Sequence, residues 1–191
     1  VRITGGSGKI ELIPWLNADV YNEDANYDEK FWENESALHD GRRTAVVAQT
    51  RKTAFVVATA MENTFSLNGK TIKSEPVITT TDKTAHCALN SAYADGDTLM
   101  VTTYAAVLSS FNHPADGIAA KAMDSAGKAA KKGFDTLLAA HRKAWAAKWE
   151  HGDIVIRGDI AAQQGIRFNI FQLNQTYTGE DPRLNIGPKG F

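Results

Sequence analysis

The sequence holds one cysteine, Cys87, so no disulfide can form within the chain, which fits a reducing compartment. It also lacks a long apolar run. The longest, near AFVVATAM, falls well short of the roughly 20 residues that a membrane-crossing helix needs. An excess of either charge is missing too: 21 basic residues stand against 22 acidic ones, for a net charge of −1. That balance argues against nucleic acid as the main partner, because a phosphate backbone selects a basic face. The one basic cluster, Lys128, Lys131 and Lys132, sits in an alanine-rich stretch and reads as a solvated helix face. His39, His86, His113, His141 and His151 show no ligand spacing, and one thiol cannot build a thiolate zinc site, so we expect no metal. The stretch GGSGK (5–9) is not a phosphate loop. That pattern needs a glycine where Ile3 stands and a hydroxyl residue where Ile10 stands. A hairpin turn is the better reading. No nucleophile elbow is present.

What the chain does have is enough apolar matter for a core: 43% of its residues are hydrophobic. Residues 1–110 carry β signals. KIELIPWLNADVYN alternates through Ile10, Leu12, Leu16, Ala18 and Val20, broken at Pro14–Trp15. RTAVVAQT and TAFVVATAME are rich in β-branched residues and flank RK, which suggests a tight hairpin. Asn68–Gly69 is a strong hairpin signal because both turn positions favour positive φ. EPVITTT, TAHCALN and DTLMVTTYAAVL follow. About seven short strands with turns between them predict an antiparallel sandwich. The character changes at FNHPADG, where Pro114 suits the first position of a helix. ADGIAAKAMDSAGKAAKK reads as weakly amphipathic and ends at Gly133. FDTLLAAHRKAWAAKWE repeats Phe134, Leu137 or Leu138, His141, Trp145 and Trp149 at helical spacing, and Gly152 stops it. Asp159 can cap a third helix to Tyr177. That helix has a stripe of Ile166, Ile170, Leu173 and Tyr177, with Phe168 and Phe171 off it, so it must pack on more than one side. The expected domains are a β-sandwich over 1–110, a helical linker over 111–152 and the start of another domain over 153–191. VRITGG begins as if inside a strand and LNIGPKGF ends as if inside a loop, so we expect a piece of a longer polypeptide.

Three stretches carry candidate chemistry. NEDANYDEKFW (22–32) packs four carboxylates and three aromatic rings into eleven residues. Asn26 with Glu29 makes a capping-box-like start that accounts for part of the acidity. The remainder, Tyr27, Phe31 and Trp32 beside Glu23 and Asp24, suits carbohydrate: rings pack on sugar C–H faces and carboxylates accept from hydroxyls. A solvated loop and a sugar-facing surface both stay open here. Trp145 and Trp149, one helical turn apart, read as packing residues or as a stacking platform. RLNIGPKGF (183–191) is either an exposed turn or a place where glycines let the backbone approach a ligand, with Lys189 able to meet an anion.

The segment GDIAAQQGIRFNIFQLNQTYTGEDPRLNIGPKGF (158–191) resembles the opening of the catalytic barrel in glycoside hydrolase family 65. AHRKAWAAKWEHGDIVIRGD (140–159) resembles that family's connector. LNADVYNEDANYDEKFW (16–32) resembles its N-terminal domain, in the branch that acts on maltose. The resemblance runs over nearly the whole chain and is least distinctive over 63–110. It implies a β-super-sandwich, a helical linker and the first helix of an (α/α)6 barrel. It implies phosphorolysis of maltose to glucose and β-glucose 1-phosphate with inversion, in a cytoplasmic homodimer with inorganic phosphate as co-substrate and no cofactor. Kojibiose, nigerose and trehalose are alternative substrates, and an autonomous α-glucan-binding module is the alternative function. The family's catalytic acid has no counterpart in these 191 residues. Tyr27, Trp32, Lys189, Gly190 and Phe191 are the residues expected near the substrate.

Overall fold

The computed structural model describes residues 5–21, 29–177 and 179–184. Contacts divide the chain into two units, Val1–Phe134 and Asp135–Phe191. The first unit is an antiparallel sandwich, as the alternation predicts. One sheet is centred on β8 (Thr84–Tyr93). Along one side of it run β1 (Gly8–Leu12) and then β2 (Trp15–Asn17), and β7 (Val77–Thr80) lies on the other. The break that Pro14 introduces is bridged: its carbonyl accepts from Cys87 N–H at 2.9 Å, so β1 and β2 continue one edge.

The second sheet is centred on β5 (Val56–Leu67). β9 (Leu99–Ser109) pairs with β5 over eleven residues. β4 (Arg43–Thr50) pairs with its first half and β6 (Lys70–Thr71) with its end, and β3 (Trp32–Asp40) lies outside β4. Asn68 (φ 51°) and Gly69 (φ 76°) both take positive φ in the β5–β6 turn, as that dipeptide predicts. The β4–β5 connection is wider than the expected two-residue turn at Arg51–Lys52. Thr50 N–H donates to Phe55 C=O at 2.8 Å, Ala54 carries the positive φ (54°), and the Thr50 hydroxyl accepts from Phe55 N–H at 2.9 Å. The threonine caps a longer loop that composition alone did not reveal. WENESALHD (32–40) is a full strand despite its polarity, because only one of its edges is paired and much of it faces water.

Side-chain alternation along β5 explains why this strand is central. Met61 and Phe65 point between the sheets onto Cys87 and Leu89 of β8, with Leu12, Leu16, Ile72, Ile78 and Val101 around them. Ala58 and Ala60 point the other way, with Ala45, onto α1 (Ile118–Lys132). Ile118, Ala122, Met123 and Ala126 recur at helical spacing and are buried there. The expectation of weak amphipathicity for this helix is therefore corrected. Alanines make a real apolar face when they meet other alanines, since small side chains on both surfaces let helix and sheet come close. Gly127 marks the limit of that approach, where a Cβ would stand 3.0 Å from Glu62 Oε2.

Pro114 does not open the helix. Residues 110–117 leave β9 through turns in which Asn112 and His113 N–H both donate to Ser109 C=O, and Gly117 (φ 72°) stands at the N-cap without a side-chain cap. The left-handed glycine, not the proline, sets where the helix starts. Gly133 ends it, as expected, donating to Ala129 C=O at 3.1 Å.

In the second unit, α2 (Phe134–Gly152) is followed by α3 (Ile160–Thr176), and Asp159 caps α3 by accepting from Ala162 N–H at 2.9 Å. The stretch between them is strapped to α3. Gln163 donates to Ile154 C=O and accepts from Ile156 N–H, while Arg167 grips Asp153 through Nε and Nη2 at 2.8 and 2.5 Å. Trp145 lies 4.9 Å from the Phe171 ring and 6.3 Å from Trp149, so it packs between the two helices. No described residue of α2 or α3 is buried, and Ile160, Phe168 and Leu173 stay exposed.

Phe65, 1% exposed, sits at the middle of the inter-sheet cluster. Phe65→Ala is expected to cost about 3–5 kcal/mol, read as a shift of the urea midpoint at unchanged slope. A loss under about 1 kcal/mol would show that the two sheets do not rest on this ring.

Candidate functional site

The aromatic and acidic stretch at 22–32 enters the described structure at Glu29. Tyr27, Asn26, Glu23 and Asp24 lie outside the described residues, as do Lys189, Gly190 and Phe191. Glu29 is not in a helix. Trp32 is described. It opens β3 and pairs with Thr50 at the end of β4. One extra residue then interrupts the ladder between Glu33 and Ser36, with Asn34 at φ 54° and its amide donating to Gln49 Oε1 at 2.9 Å. Such a bulge turns the strand end away from the regular sheet. The result is a cavity of about 440 Å³ lined by Glu29, Lys30, Phe31, Trp32, Glu33, Thr50, Arg51 and Lys52. Its floor is held by the main chain, with Arg51 N–H donating to Phe31 C=O at 2.9 Å and Arg51 Nη1 to Lys30 C=O at 3.2 Å. Arg51 also stands 3.7 Å from Glu33.

Lys30 organises the approach to this corner, a role the sequence reading did not assign. Its ammonium bonds Asp19 at 2.6 Å and also Glu35, and it lies 5.7 Å from the centroid of the Tyr21 ring. Lys83 adds a second cation to Asp19 at 3.2 Å. Asn17 orients the acceptor by taking a hydrogen bond from Asp19 N–H at 2.8 Å. The Asp19–Lys30 pair thus links the residues just after β2 to those just before β3. The hydrogen bond from Lys30 holds both Asp19 and Glu35 below the ordinary carboxylate range, and those two carboxylates, Asp19 first, raise the lysine. The only available signal was position: Lys30 is the first basic residue after a run of acids.

No described carboxyl with a displaced titration is displaced upward. Asp19 and Glu35 are lowered by Lys30, Asp97 by the Ala94 amide, Asp124 by Lys128, Asp153 by Arg167, and Asp181 to about 2 by Arg183. A group that protonates a departing glycosidic oxygen needs the opposite, a carboxyl held neutral near pH 7. Cys87 is raised by burial between the sheets, which makes it a poor nucleophile. Among the described residues no three His, Cys, Asp or Glu side chains gather to hold a metal, and no helix is long and apolar enough to cross a membrane.

An antiparallel sandwich backed by a helix, joined to two further helices and bearing an aromatic, ion-paired corner, defines the class: a β-domain attached to a helical one. The comparisons give the family. "Glycosyl hydrolase family 65, N-terminal domain" matches residues 1–148, and the chain belongs to that family. The maltose phosphorylase of Bacillus subtilis (strain 168) is 33% identical over 191 residues, covering 97% of this chain and 24% of that protein. The alpha,alpha-trehalose phosphorylase of Thermoanaerobacter brockii is 26% identical over 197 residues, covering 96% of this chain and 24% of its own length. A solved structure, "Putative kojibiose phosphorylase from human microbiome", superposes with a TM-score of 0.80 at 21% identity, covering 96% of this chain and 23% of that one. The chain therefore spans about a quarter of the length of these relatives.

The Lys30 clamp has a pH signature. Two carboxylates are lowered in the folded state, so their contribution is fully present above the unfolded carboxylate range, near pH 4, and fades as pH falls through their folded values. The raised lysine contributes below its unfolded pKa, about 10.4, and that contribution fades as pH rises through its folded value. Lys30→Met should lower the melting temperature at pH 7 and flatten its fall between pH 5 and 3, measured by circular dichroism. An unchanged acid limb would show that the clamp does not hold the fold.

Proposed function

We propose that the chain is part of a disaccharide phosphorylase acting on maltose. It would supply the later strands of the β-sandwich, the helical linker over 111–152 and, over 153–191, the first helix of the (α/α)6 barrel. The observation that carries this reading is similarity along almost the whole chain to the Bacillus maltose phosphorylase, at higher identity than to the trehalose enzyme. In the proposed reaction a carboxylic acid protonates the leaving glycosidic oxygen while phosphate attacks the anomeric carbon from the opposite face. Glucose and β-glucose 1-phosphate result, with inversion. Phosphate is already anionic, so no general base is needed, unlike the water attack of inverting hydrolysis. No described residue here is assigned the chemical step, and the downward displacement of Asp19, Glu35, Asp97, Asp124, Asp153 and Asp181 supports that.

The part proposed for these residues is architectural. The Asp19–Lys30–Glu35 clamp would hold the 22–32 stretch against the rest of the enzyme or its homodimer partner, with Tyr27 and Trp32 toward the sugar. Lys189, Gly190 and Phe191 would lie beside the substrate at the barrel mouth. No cofactor is required, and the enzyme would work in the cytoplasm.

A second reading, an α-glucan-binding module, is favoured by the cavity at Trp32. Two measurements separate them. Incubated with maltose and phosphate, the 191-residue chain should release no glucose, whereas the protein at the relatives' length should. Turnover by the 191 residues alone would overturn the assignment of the acid elsewhere. Calorimetry of the 191-residue chain with maltose and longer α-glucans should show no millimolar binding. Binding abolished by Trp32→Ala would establish the module instead.

A further inference from the structure

The edges of the two sheets are treated differently. β3, the outer strand of the five-stranded sheet, carries Glu33, Glu35 and Asp40 and is bulged at Asn34. β1 carries Lys9 and Glu11, and β7 is four residues long. Charge, bulges and shortness are the devices by which sheets refuse another strand. β9 has none of them. LMVTTYAAVLS is eleven residues without a charge or a proline, in unbroken register with β5.

The hydrogen-bond parity of β9 follows from its two ends. Ser110 N–H donates to Val56 C=O and Asn68 N–H to Thr98 C=O, each at 2.8 Å. Even-numbered residues of β9 therefore bond to β5. Val101, Thr103, Ala105 and Val107 turn N–H and C=O to the other edge, where no described strand lies. The same four residues put their side chains on the sandwich side. Val101 packs into the inter-sheet cluster and Thr103 donates to buried Asn63 Oδ1 at 2.7 Å. Ala105 and Val107 are uncovered, Val107 at 64% exposure. Over Val101–Val107, an edge that no described strand pairs and a bare inner face thus coincide.

We propose that β9 is a seam: a further strand of the same polypeptide, outside these 191 residues, pairs with Val101–Val107 and extends the five-stranded sheet, its apolar side closing over Ala105 and Val107. This rests on the reading of the chain as part of a longer enzyme, and the span of about a quarter of the relatives' length leaves polypeptide to supply the strand. A second copy fits less well. Two β9 strands paired edge to edge would join two sheets and leave Val107 bare in both.

Hydrogen exchange tests the seam amide by amide. In the 191-residue chain, Val101, Thr103, Ala105 and Val107 N–H should exchange fast while Thr102, Tyr104 and Ala106 are protected. In the protein at the relatives' length, the four fast amides should slow about tenfold or more while the even-numbered ones change little. Ala105→Pro supplies a second readout. It removes only an outward donor, so it should leave the melting temperature of the 191-residue chain nearly unchanged and lower that of the longer protein. Four amides that stay fast in the longer protein would overturn the seam. Protection that rises with concentration of the 191-residue chain would assign the edge to a second copy and overturn it too. Neither result bears on maltose phosphorolysis, which is read by glucose release.

Discussion

β5 has to bury both faces at once, and the first unit is arranged around that demand. On one side Met61 and Phe65 bring the second sheet over Cys87 and Leu89. On the other, Ala58 and Ala60 pack against Ile118, Ala122 and Met123 of α1. Large residues inside and small ones beneath the helix are one alternation read on opposite faces. The helix belongs structurally with the sandwich because its alanines meet alanines, and a bulkier face would hold it away.

The ion pairs serve a different purpose. Most are exposed, such as Lys128 with Asp124, and such pairs contribute little. Lys30 is the exception: its side chain is 17% exposed and it joins two carboxylates. What this arrangement achieves is geometric. Asp19 follows β2 and Lys30 precedes β3, so one ammonium joins the chain leaving β2 to the chain entering β3. The bulge at Asn34 then shifts the register between the Trp32–Glu33 end of β3 and the rest of the strand. The described part of this corner sets aromatic rings beside ion-paired carboxylates, and the two with displaced titration, Asp19 and Glu35, are both held in the charged form.

The second unit is held by polar straps more than by burial. Gln163 and the Arg167–Asp153 pair fix the stretch that leads from α2 to α3, and Trp145 meets Phe171 between the helices. Neither helix buries a described residue, and Ile160 is 88% exposed. An apolar helix surface left in water is unfavourable by the hydrophobic effect, and the pattern of Phe168 and Phe171 off the main stripe had already implied packing on more than one side.

Much of this was legible in the amino-acid order because it depends on near neighbours. Alternation marked the strands, Asn68–Gly69 marked its hairpin, Gly133 and Gly152 marked helix ends, and Asp159 marked a cap, each through backbone preferences of one or two residues. Tertiary structure alone decided the rest. Pro114 could have opened a helix, yet Gly117 does, because the turn closing on Ser109 must end before Ile118 can reach the sheet. The alanine-rich stretch gained a buried face only once β4 and β5 offered alanines to it. Lys30 found Asp19 only when the run after β2 met the start of β3, and the outward edge of Val101–Val107 is left without a described partner strand only because of which strands pair beside it. Local preferences act along the chain, whereas a face, a clamp or an edge is made by segments that only folding brings together.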